Sequence, residues 1–178
     1  MRIIGGEFKG RSFHPGKAFK ARPTTDFAKE NLFNILQHQL EIEDLKVLDI
    51  FAGTGSISYE FYSRGCRDIT SVERNFNHYR FIRQSVSELG AEKNIRVIKA
   101  NAFKFLERTD EKFNLIFADP PYELKELSSI PDAVFNNSVL KDEGFLIVEH
   151  PGKYNFENHQ HFLEMRKYGS VHFSFFKK

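Results

Sequence analysis

Cysteine is scarce in the sequence and long apolar runs are missing from it. Cys66 stands alone among 178 residues, so no disulfide can form within the chain, which is typical of proteins in a reducing compartment. The first residues, 1–7, do not resemble a signal peptide, and no later stretch is apolar enough to span a membrane. These absences predict a cytoplasmic protein without a membrane partner, in which Cys66 is a small packing residue.

The histidines do not form a metal-binding pattern. They are scattered along the chain, and the pair in His159-Gln160-His161 is more typical of a surface than of a ligand set. The sequence also contains no combination of a serine, a histidine and an acid that indicates a catalytic triad. We therefore expect neither a metal ion nor a covalent intermediate.

Positive charge is concentrated near the N-terminus. Residues 1–25 contain six cationic side chains and the single acid Glu7, although the whole chain has a formal net charge of only +2. The six are Arg2, Lys9, Arg11, Lys17, Lys20 and Arg22. Such a segment indicates a polyanionic partner such as RNA, although a solvated surface gives the same pattern. These six residues are our candidates for RNA contacts.

Short apolar segments alternate with helical stretches, which predicts one α/β domain with a mostly parallel, doubly wound sheet. The five segments are Val47–Phe51, Ile69–Val72, Ile95–Ile98, Leu115–Ala118 and Phe145–Val148. A helix is expected over 26–39, with Thr24 or Thr25 as its cap, and a later apolar helical stripe ends at Gly90.

Hairpins are predicted at both ends of the chain. Glycines between short β-like runs indicate a small N-terminal hairpin or arm within residues 1–22. Two alternating segments, His161–Tyr168 and Val171–Phe176, predict an antiparallel hairpin that closes the sheet edge. We therefore expect a basic arm over 1–25 and the main domain over 26–178.

A glycine-containing loop follows the first predicted strand and reads Asp49-Ile50-Phe51-Ala52-Gly53-Thr54-Gly55. In an open α/β sheet the ligand lies beyond the carboxyl ends of the strands, and glycines let it approach the backbone closely. A dinucleotide-binding loop would need a third glycine where Ser58 stands. The observed loop, with only two glycines, matches loops that hold S-adenosylmethionine. The alternative is a tight turn that binds no ligand. The expected contacts are Asp49, Phe51, Ala52, Gly53 and Gly55.

An acid ends the second predicted strand. Glu73 stands where a carboxylate can accept hydrogen bonds from both hydroxyls of a ribose, although an ion pair with Arg74 is the simpler alternative. Asn101 and Ala102 follow the third strand and are expected to face the adenine amino group. Together these residues extend the cofactor site across neighbouring strands.

The fourth predicted strand ends in Asp119-Pro120-Pro121-Tyr122. An exocyclic base amine is a poor nucleophile, because its lone pair is delocalised into the ring. The Asp119 carboxylate and the Pro120 carbonyl can accept hydrogen bonds from the two N–H groups of the amine, which would favour a pyramidal nitrogen. The two prolines restrict the backbone and so hold these acceptors in place. Tyr122 offers a face on which an extruded base can stack. The alternative is a plain strand-ending turn with a buried tyrosine.

The chain resembles the bacterial 16S rRNA (guanine(966)-N(2))-methyltransferase family over essentially its whole length. The matching motifs are Met1-Arg2-Ile3-Ile4-Gly5-Gly6, Lys9-Gly10-Arg11, Arg22-Pro23-Thr24, Asn31-Leu32-Phe33-Asn34-Ile35-Leu36, the glycine loop, Ser63-Arg64-Gly65, Asp119-Pro120-Pro121-Tyr122 and Arg166-Lys167-Tyr168-Gly169. The resemblance implies a class I methyltransferase (Rossmann-like) seven-stranded sheet, S-adenosylmethionine as cofactor, and methylation of guanine N2 in 16S rRNA. It also implies that the substrate is an assembled or assembling small ribosomal subunit. Asn101 stands where such enzymes commonly have Asp, which puts the adenine contact in question.

Two other functions fit parts of the pattern. Asp-Pro-Pro-Tyr also occurs in DNA methyltransferases that modify adenine N6 or cytosine N4, although these usually carry a separate recognition domain. A non-catalytic RNA-binding assembly factor on the same fold is the second alternative. The intact Asp119 and both loop glycines argue against it.

Overall fold

A seven-stranded sheet runs through the centre of the protein, seen in a computed structural model that describes residues 1–16 and 25–178. The strands are β1 (Lys46–Asp49), β2 (Asp68–Glu73), β3 (Ile95–Lys99), β4 (Phe113–Ala118), β5 (Leu140–His150), β6 (Phe162–Tyr168) and β7 (Val171–Lys177). They lie in the order β3-β2-β1-β4-β5-β7-β6. β1 to β5 pair in parallel, and β7 is antiparallel to both of its neighbours. The predicted sheet and its C-terminal hairpin are confirmed.

Helices cover both faces of the sheet. They are α1 (Asp26–Gln39), α2 (Ser56–Ser63), α3 (Phe76–Glu88), α4 (Ala102–Arg108) and α5 (Ile130–Asn136), with short 3-10 turns at Ile42–Asp44 and Leu127–Ser129. Apolar residues of α1, α2 and α3 form one buried layer, and those of α4 and α5 form the other. The first helix has the predicted bounds, and Thr25 caps it by accepting a hydrogen bond from the Ala28 N–H at 3.2 Å.

Several strands begin or end at other residues than the predicted apolar segments. β1 ends at Asp49 rather than Phe51, because the chain already turns into the glycine loop there. β5 begins at Leu140 rather than Phe145. The exposed charges of residues 141–143 have the composition of a loop, yet Leu140 pairs with Phe113 before the ladder shifts register.

The phenylalanine-rich C-terminus forms an interior strand. β7 lies between β5 and β6, so both of its edges are paired. Phe173 and Phe175 belong to one buried layer and Phe176 to the other. β6 therefore forms the edge of the sheet, and the aromatic content of β7 is explained by burial on two sides.

The N-terminal arm folds against the helices beside the glycine loop. Arg2 and Ser12 form an isolated antiparallel bridge, as the predicted hairpin requires. Ile3 and Phe13 are buried in the same apolar layer as α1 and α2, so residues 1–16 share the core of the main domain. The predicted boundary at residue 25 stays a prediction, because residues 17–24 are outside the described part of the chain.

A buried ionic network joins the arm, α1 and α2. The Lys29 ammonium donates to the Arg2 carbonyl at 2.6 Å and to Ser56 Oγ at 3.1 Å, and it lies 3.2 Å from Glu60 Oε1. Glu60 also accepts the Ile4 N–H at 2.8 Å and pairs with Arg64. Because Ser56 begins α2 directly after the glycine loop, this network holds the arm close to the site described next.

Candidate active site

The loops after β1, β2, β3 and β4 open into one cavity of about 830 Å³ at the carboxyl ends of the strands. This volume lies within the range of small-molecule binding sites. The predicted site residues that line it are Asp49, Phe51, Ala52, Gly53, Glu73, Asn101, Ala102, Asp119, Pro120 and Tyr122. Residues that stand far apart in the sequence therefore meet in one place, because parallel strands end at the same sheet edge.

Asp49 lies at the bottom of this cavity as a buried carboxyl group. Ser58 on α2 donates to Asp49 Oδ2 at 2.8 Å and lies 2.7 Å from Ser71 Oγ. Burial raises the pKa of Asp49 to about 7; the hydrogen bond from Ser58 opposes this shift, and the charge of Glu73 adds to it. The serine that stands in place of a third glycine therefore holds the first acid of the loop.

Glu73 connects the second strand to the glycine loop. Its Oε2 accepts the Gly53 N–H at 2.8 Å, and its Oε1 accepts the Asn75 N–H at 2.6 Å. Each carboxylate oxygen retains a second lone pair that can accept from a ligand hydroxyl. Glu73 is thus a loop-holding residue in addition to being a candidate ribose ligand, and the sequence analysis identified only the second of these roles.

The two loop glycines serve different purposes. Gly53 has a φ of +54°, and the nearest atom to an added Cβ would be the Phe51 carbonyl oxygen at 3.9 Å, so the space beside it is open. Gly55 has a φ of +79°, and an added Cβ would lie 2.4 Å from the Tyr59 hydroxyl oxygen. Gly55 is not among the cavity-lining residues in the described part of the chain. Tyr59 occupies the space that a side chain at position 55 would need, so the structure gives Gly55 a packing role, and its predicted contact with the cofactor stays a prediction.

The residues after β3 are placed partly as expected. Asn101 and Ala102 line the cavity, but Asn101 Oδ1 accepts the Lys104 N–H at 3.1 Å and caps α4. The Asn101 oxygen retains a second lone pair, so its predicted contact with the adenine amino group stays a prediction. Phe51 meets Phe103 edge to face at 6.4 Å, which gives this side of the cavity an apolar wall.

Asp119, Pro120 and Tyr122 form the opposite wall and bring in an acid that the sequence analysis missed. The Tyr122 hydroxyl donates to Glu149 Oε1 at 3.4 Å, and Glu149 is buried at the carboxyl end of β5. Glu149 could have been predicted from the sequence, because it directly follows the apolar run Phe145–Val148. The same pattern identified Glu73 at the end of the second predicted strand.

The cavity has a strongly acidic lining. Its carboxyl side chains are Asp49, Glu73, Asp119, Glu123, Glu126 and Glu149. Within the described residues, the only lysine or arginine that lines it is Arg74, although His78 also contributes. This charge pattern favours a cationic ligand of nucleotide size over a dinucleotide with its anionic pyrophosphate.

The predicted RNA contacts that the structure describes, Arg2, Lys9 and Arg11, lie outside the cavity. Arg2 is exposed and pairs with Asp26 at 3.0 Å, and Lys9 is exposed on the arm. Arg11 donates to the Glu88 carbonyl and lies near the Phe8 ring. Lys17, Lys20 and Arg22 fall outside the described residues. The three that can be placed are on the surface of the arm, and two of them already contact the protein.

The remaining sequence predictions concern Cys66, metals and membranes. Cys66 is buried and donates to the Leu45 carbonyl at 3.1 Å, and burial raises the pKa of its thiol to about 11. In residues 1–16 and 25–178 no three metal-ligating side chains come together. None of the helices in that part of the chain has both the length and the apolar character needed to cross a membrane.

The seven-stranded sheet, the glycine loop after β1 and the acid at the end of β2 define an α/β protein of the methyltransferase fold. The model of a family described as "Conserved hypothetical protein 95" matches residues 1–177, and the chain belongs to that family.

Named relatives and solved structures agree with this assignment. Ribosomal RNA small subunit methyltransferase D from Escherichia coli (strain K12) is 34% identical over 149 residues, which are 84% of this chain and 74% of the relative. YlbH from Bacillus subtilis (strain 168) is 31% identical over 153 residues, 84% and 82% of the two chains. The solved structure of yhhF from Escherichia coli is 30% identical, has a TM-score of 0.86, and aligns over 100% of this chain and 97% of that one. The family resemblance stated from the motifs is confirmed.

Proposed function

We propose that this protein transfers a methyl group from S-adenosylmethionine to the exocyclic N2 amino group of a guanine in small-subunit rRNA. The observation that carries the proposal is the meeting of the glycine loop, Glu73 and the Asp119–Tyr122 turn in one acidic cavity. The relative from Escherichia coli named as an rRNA small subunit methyltransferase supports the substrate class.

The cofactor fits the charge and shape of one half of the cavity. When bound, S-adenosylmethionine supplies an electrophilic methyl group on a positively charged sulfur. The acidic lining complements that sulfonium charge and the ammonium group of the same molecule. Glu73 has lone pairs for the ribose hydroxyls, and the open space beside Gly53 admits a ligand close to the backbone. Phe51 provides an apolar surface for the adenine ring.

The turn after β4 provides the chemistry at the base. The Asp119 carboxylate and the Pro120 carbonyl accept hydrogen bonds from the amine and hold its lone pair toward the methyl group. As the N–C bond forms and the C–S bond breaks, the amine becomes a cation and must lose one proton. The Asp119 carboxylate lies beside that proton and stabilises the charge until it leaves for water. Tyr122 holds the base in position by stacking.

Glu149 favours guanine as the base. The Watson–Crick edge of guanine presents donors at both N1 and N2, whereas adenine N1 and cytosine N3 are acceptors. Glu149 accepts the Tyr122 hydroxyl at 3.4 Å, so we expect its carboxylate to face the edge of a base that stacks on Tyr122. A second carboxylate beside Asp119 attracts the guanine edge and repels the lone pair that adenine or cytosine presents there.

The arm contributes docking rather than chemistry in this proposal. Arg2, Lys9 and Arg11 lie on the surface, apart from the residues that line the cavity. Contacts from such side chains to phosphates position RNA without reading its bases. An assembled or assembling small subunit offers the dense array of phosphates that such an arm requires.

The test is methyl transfer with labelled S-adenosylmethionine. Small ribosomal subunits from cells that lack the chain should accept label, and digestion should yield N2-methylguanosine. Asp119→Ala should bind the cofactor normally but lose turnover by at least about a hundredfold, and Asp119→Asn should retain part of it, because an amide oxygen still accepts. Asp110→Ala, which removes an exposed acid outside the cavity, is the matched control.

The alternatives give different products. Label in genomic DNA as N6-methyladenine or N4-methylcytosine would replace the rRNA assignment with the DNA one. Cofactor binding without transfer to any nucleic acid would favour a non-catalytic assembly factor. An Asp119→Ala variant with wild-type single-turnover rates would refute the mechanism at the amine.

A further inference from the structure

The outer face of α3 exposes two aromatic rings with three cations beside them. Phe76 is 53% exposed, and its ring stacks on Tyr79 with the centroids 6.5 Å apart and the planes at 26°. Arg80 and Lys99 lie 5.8 Å and 5.4 Å from the Phe76 centroid, and Arg83 lies 5.9 Å from that of Tyr79. We call these five residues the α3 aromatic face.

Folding does not require this face. The inner side of α3 fills the core with Ile82, Ser85 and Val86, whereas Phe76 projects into solvent. An exposed large aromatic ring gains little stability from burial, and a pair between a cation and a ring at such a site contributes only modestly. The face is therefore available for a ligand.

The face has the chemistry of a site for single-stranded nucleic acid. It borders a shallow groove of about 600 Å³ lined by residues of α3, and none of the described residues that line the groove is acidic. Flat rings stack on unpaired bases of any identity, and adjacent arginines and lysines bind the phosphates between them. A double helix presents its phosphates but hides the faces of its bases.

The face also lies next to the candidate active site. α3 begins just after Glu73, and Arg74, Asn75 and His78 line the cavity. RNA that lies along the helix therefore reaches the rim of the cavity that Asp119 also lines.

We propose that the α3 aromatic face binds the single-stranded RNA that flanks the target nucleotide. The assignment of that RNA to the substrate rests on the proposed function, but binding by the face is measured separately. The α3 aromatic face would be a second RNA-binding surface besides the basic arm. Unlike the arm, this face requires unpaired bases.

The test measures the binding of a fluorescent uridine oligonucleotide of about twelve nucleotides, a length that one such surface can accommodate. Phe76→Ala combined with Tyr79→Ala should weaken binding roughly ten- to a hundredfold, because two stacking faces are lost. Phe76→Tyr with Tyr79→Phe keeps both rings and should retain most of the affinity. Leu163→Ala with Met165→Ala removes two exposed apolar side chains from β6 and is the matched control.

The cations are tested by the dependence on salt. Arg80→Gln with Arg83→Gln should flatten the slope of log affinity against log salt by about 0.7 for each lost phosphate contact. Arg108→Gln with Lys125→Gln neutralises two exposed cations elsewhere and should leave the slope unchanged. Unchanged urea denaturation and cofactor affinity in all variants would show that the effects do not come from misfolding.

The results separate this proposal from the proposed function. Ring-dependent oligonucleotide binding without methyl transfer to rRNA would support the face and refute the function. Normal methylation together with unaltered oligonucleotide affinity and unaltered KM for subunits in the double alanine variant would overturn the face. Equal affinity for a duplex of the same length would also overturn it, because a duplex cannot stack on the rings.

Discussion

Glu73→Gln separates the observed loop contacts of this carboxylate from the ribose contact that the proposed function assigns to it. Glu73 accepts the backbone N–H groups of Gly53 and Asn75 at 2.8 Å and 2.6 Å. The proposed function adds the ribose hydroxyls of the cofactor. Glutamine keeps the shape of the side chain but has a single oxygen, so one of the two backbone donors must lose its acceptor.

The magnitudes follow from these contacts. A hydrogen bond to a charged acceptor contributes about 1.5–3 kcal/mol, so the cofactor-free protein should lose about that much free energy of unfolding. Loss of a hydroxyl contact should weaken cofactor binding by a similar free energy, which is roughly ten- to a hundredfold in affinity. The loss of stability comes from the loop contacts alone, whereas the loss of affinity appears only when the cofactor binds.

Two measurements distinguish the effects. Urea denaturation without ligand measures the contribution of the loop contacts to the free energy of unfolding. Calorimetry with S-adenosylhomocysteine and its 2′,3′-dideoxy analogue measures the contribution of the ribose hydroxyls to binding. If Glu73 binds the hydroxyls, removing them should weaken binding far more in the wild type than in Glu73→Gln. Glu126→Gln, at an exposed position on the same cavity, should change neither quantity. Equal losses with the analogue in both proteins would refute the ribose role even if stability falls.

Three further predictions test the loop, the buried acid and the ionic network. Gly55→Ala should destabilise the protein by about 2–4 kcal/mol in urea, because its Cβ would meet Tyr59 at a positive φ. Because the folded-state pKa of Asp49 is raised to about 7, its contribution to the free energy of unfolding should decline from about pH 4 to about pH 7 and then level off. A cationic cofactor favours the ionised acid, so its affinity should rise between about pH 6 and about pH 8, and Asp49→Asn should remove both trends. Glu60→Gln should cost about 3–5 kcal/mol, because Lys29 would keep a buried charge without its main partner, and adding Lys29→Met should restore most of it.

Controls for these predictions come from the same chain. Gly53→Ala should cost no more than about 1–2 kcal/mol, because only its backbone angle opposes a side chain. A larger loss at position 53 than at position 55 would contradict the assignment of the glycines. Equal pH slopes in the wild type and Asp49→Asn would show that another group titrates. Failure of Lys29→Met to restore stability would mean that Glu60 acts mainly through Arg64 or Ile4 rather than through Lys29.

The alternation of strands and helices, and the motifs at the ends of the strands, were predictable from the sequence. Periods of apolar residues mark buried strands, and a parallel sheet places the ends of those strands at one edge. The sequence therefore predicts that Asp49, Glu73 and Asp119 lie at the same edge of the sheet. Each of these residues ends a strand or directly follows one, and its side chain can bind a ligand.

Other features depend on contacts between segments that are distant in the sequence. Gly55 has the same local pattern as Gly53, and only the packing of Tyr59 against it shows why the two glycines differ. The length of β5 was also underestimated, because its exposed charges are typical of a loop until the pairing with β4 is known.

The sequence by itself determined the doubly wound class, the first helix and the cofactor loop, because these follow from local periodicity and from residues adjacent in the chain. Only the tertiary structure decided that Glu149 joins Tyr122 at the cavity and that Lys29 is buried against Glu60. The physical reason is that burial and pairing of a charge depend on which distant elements cover it.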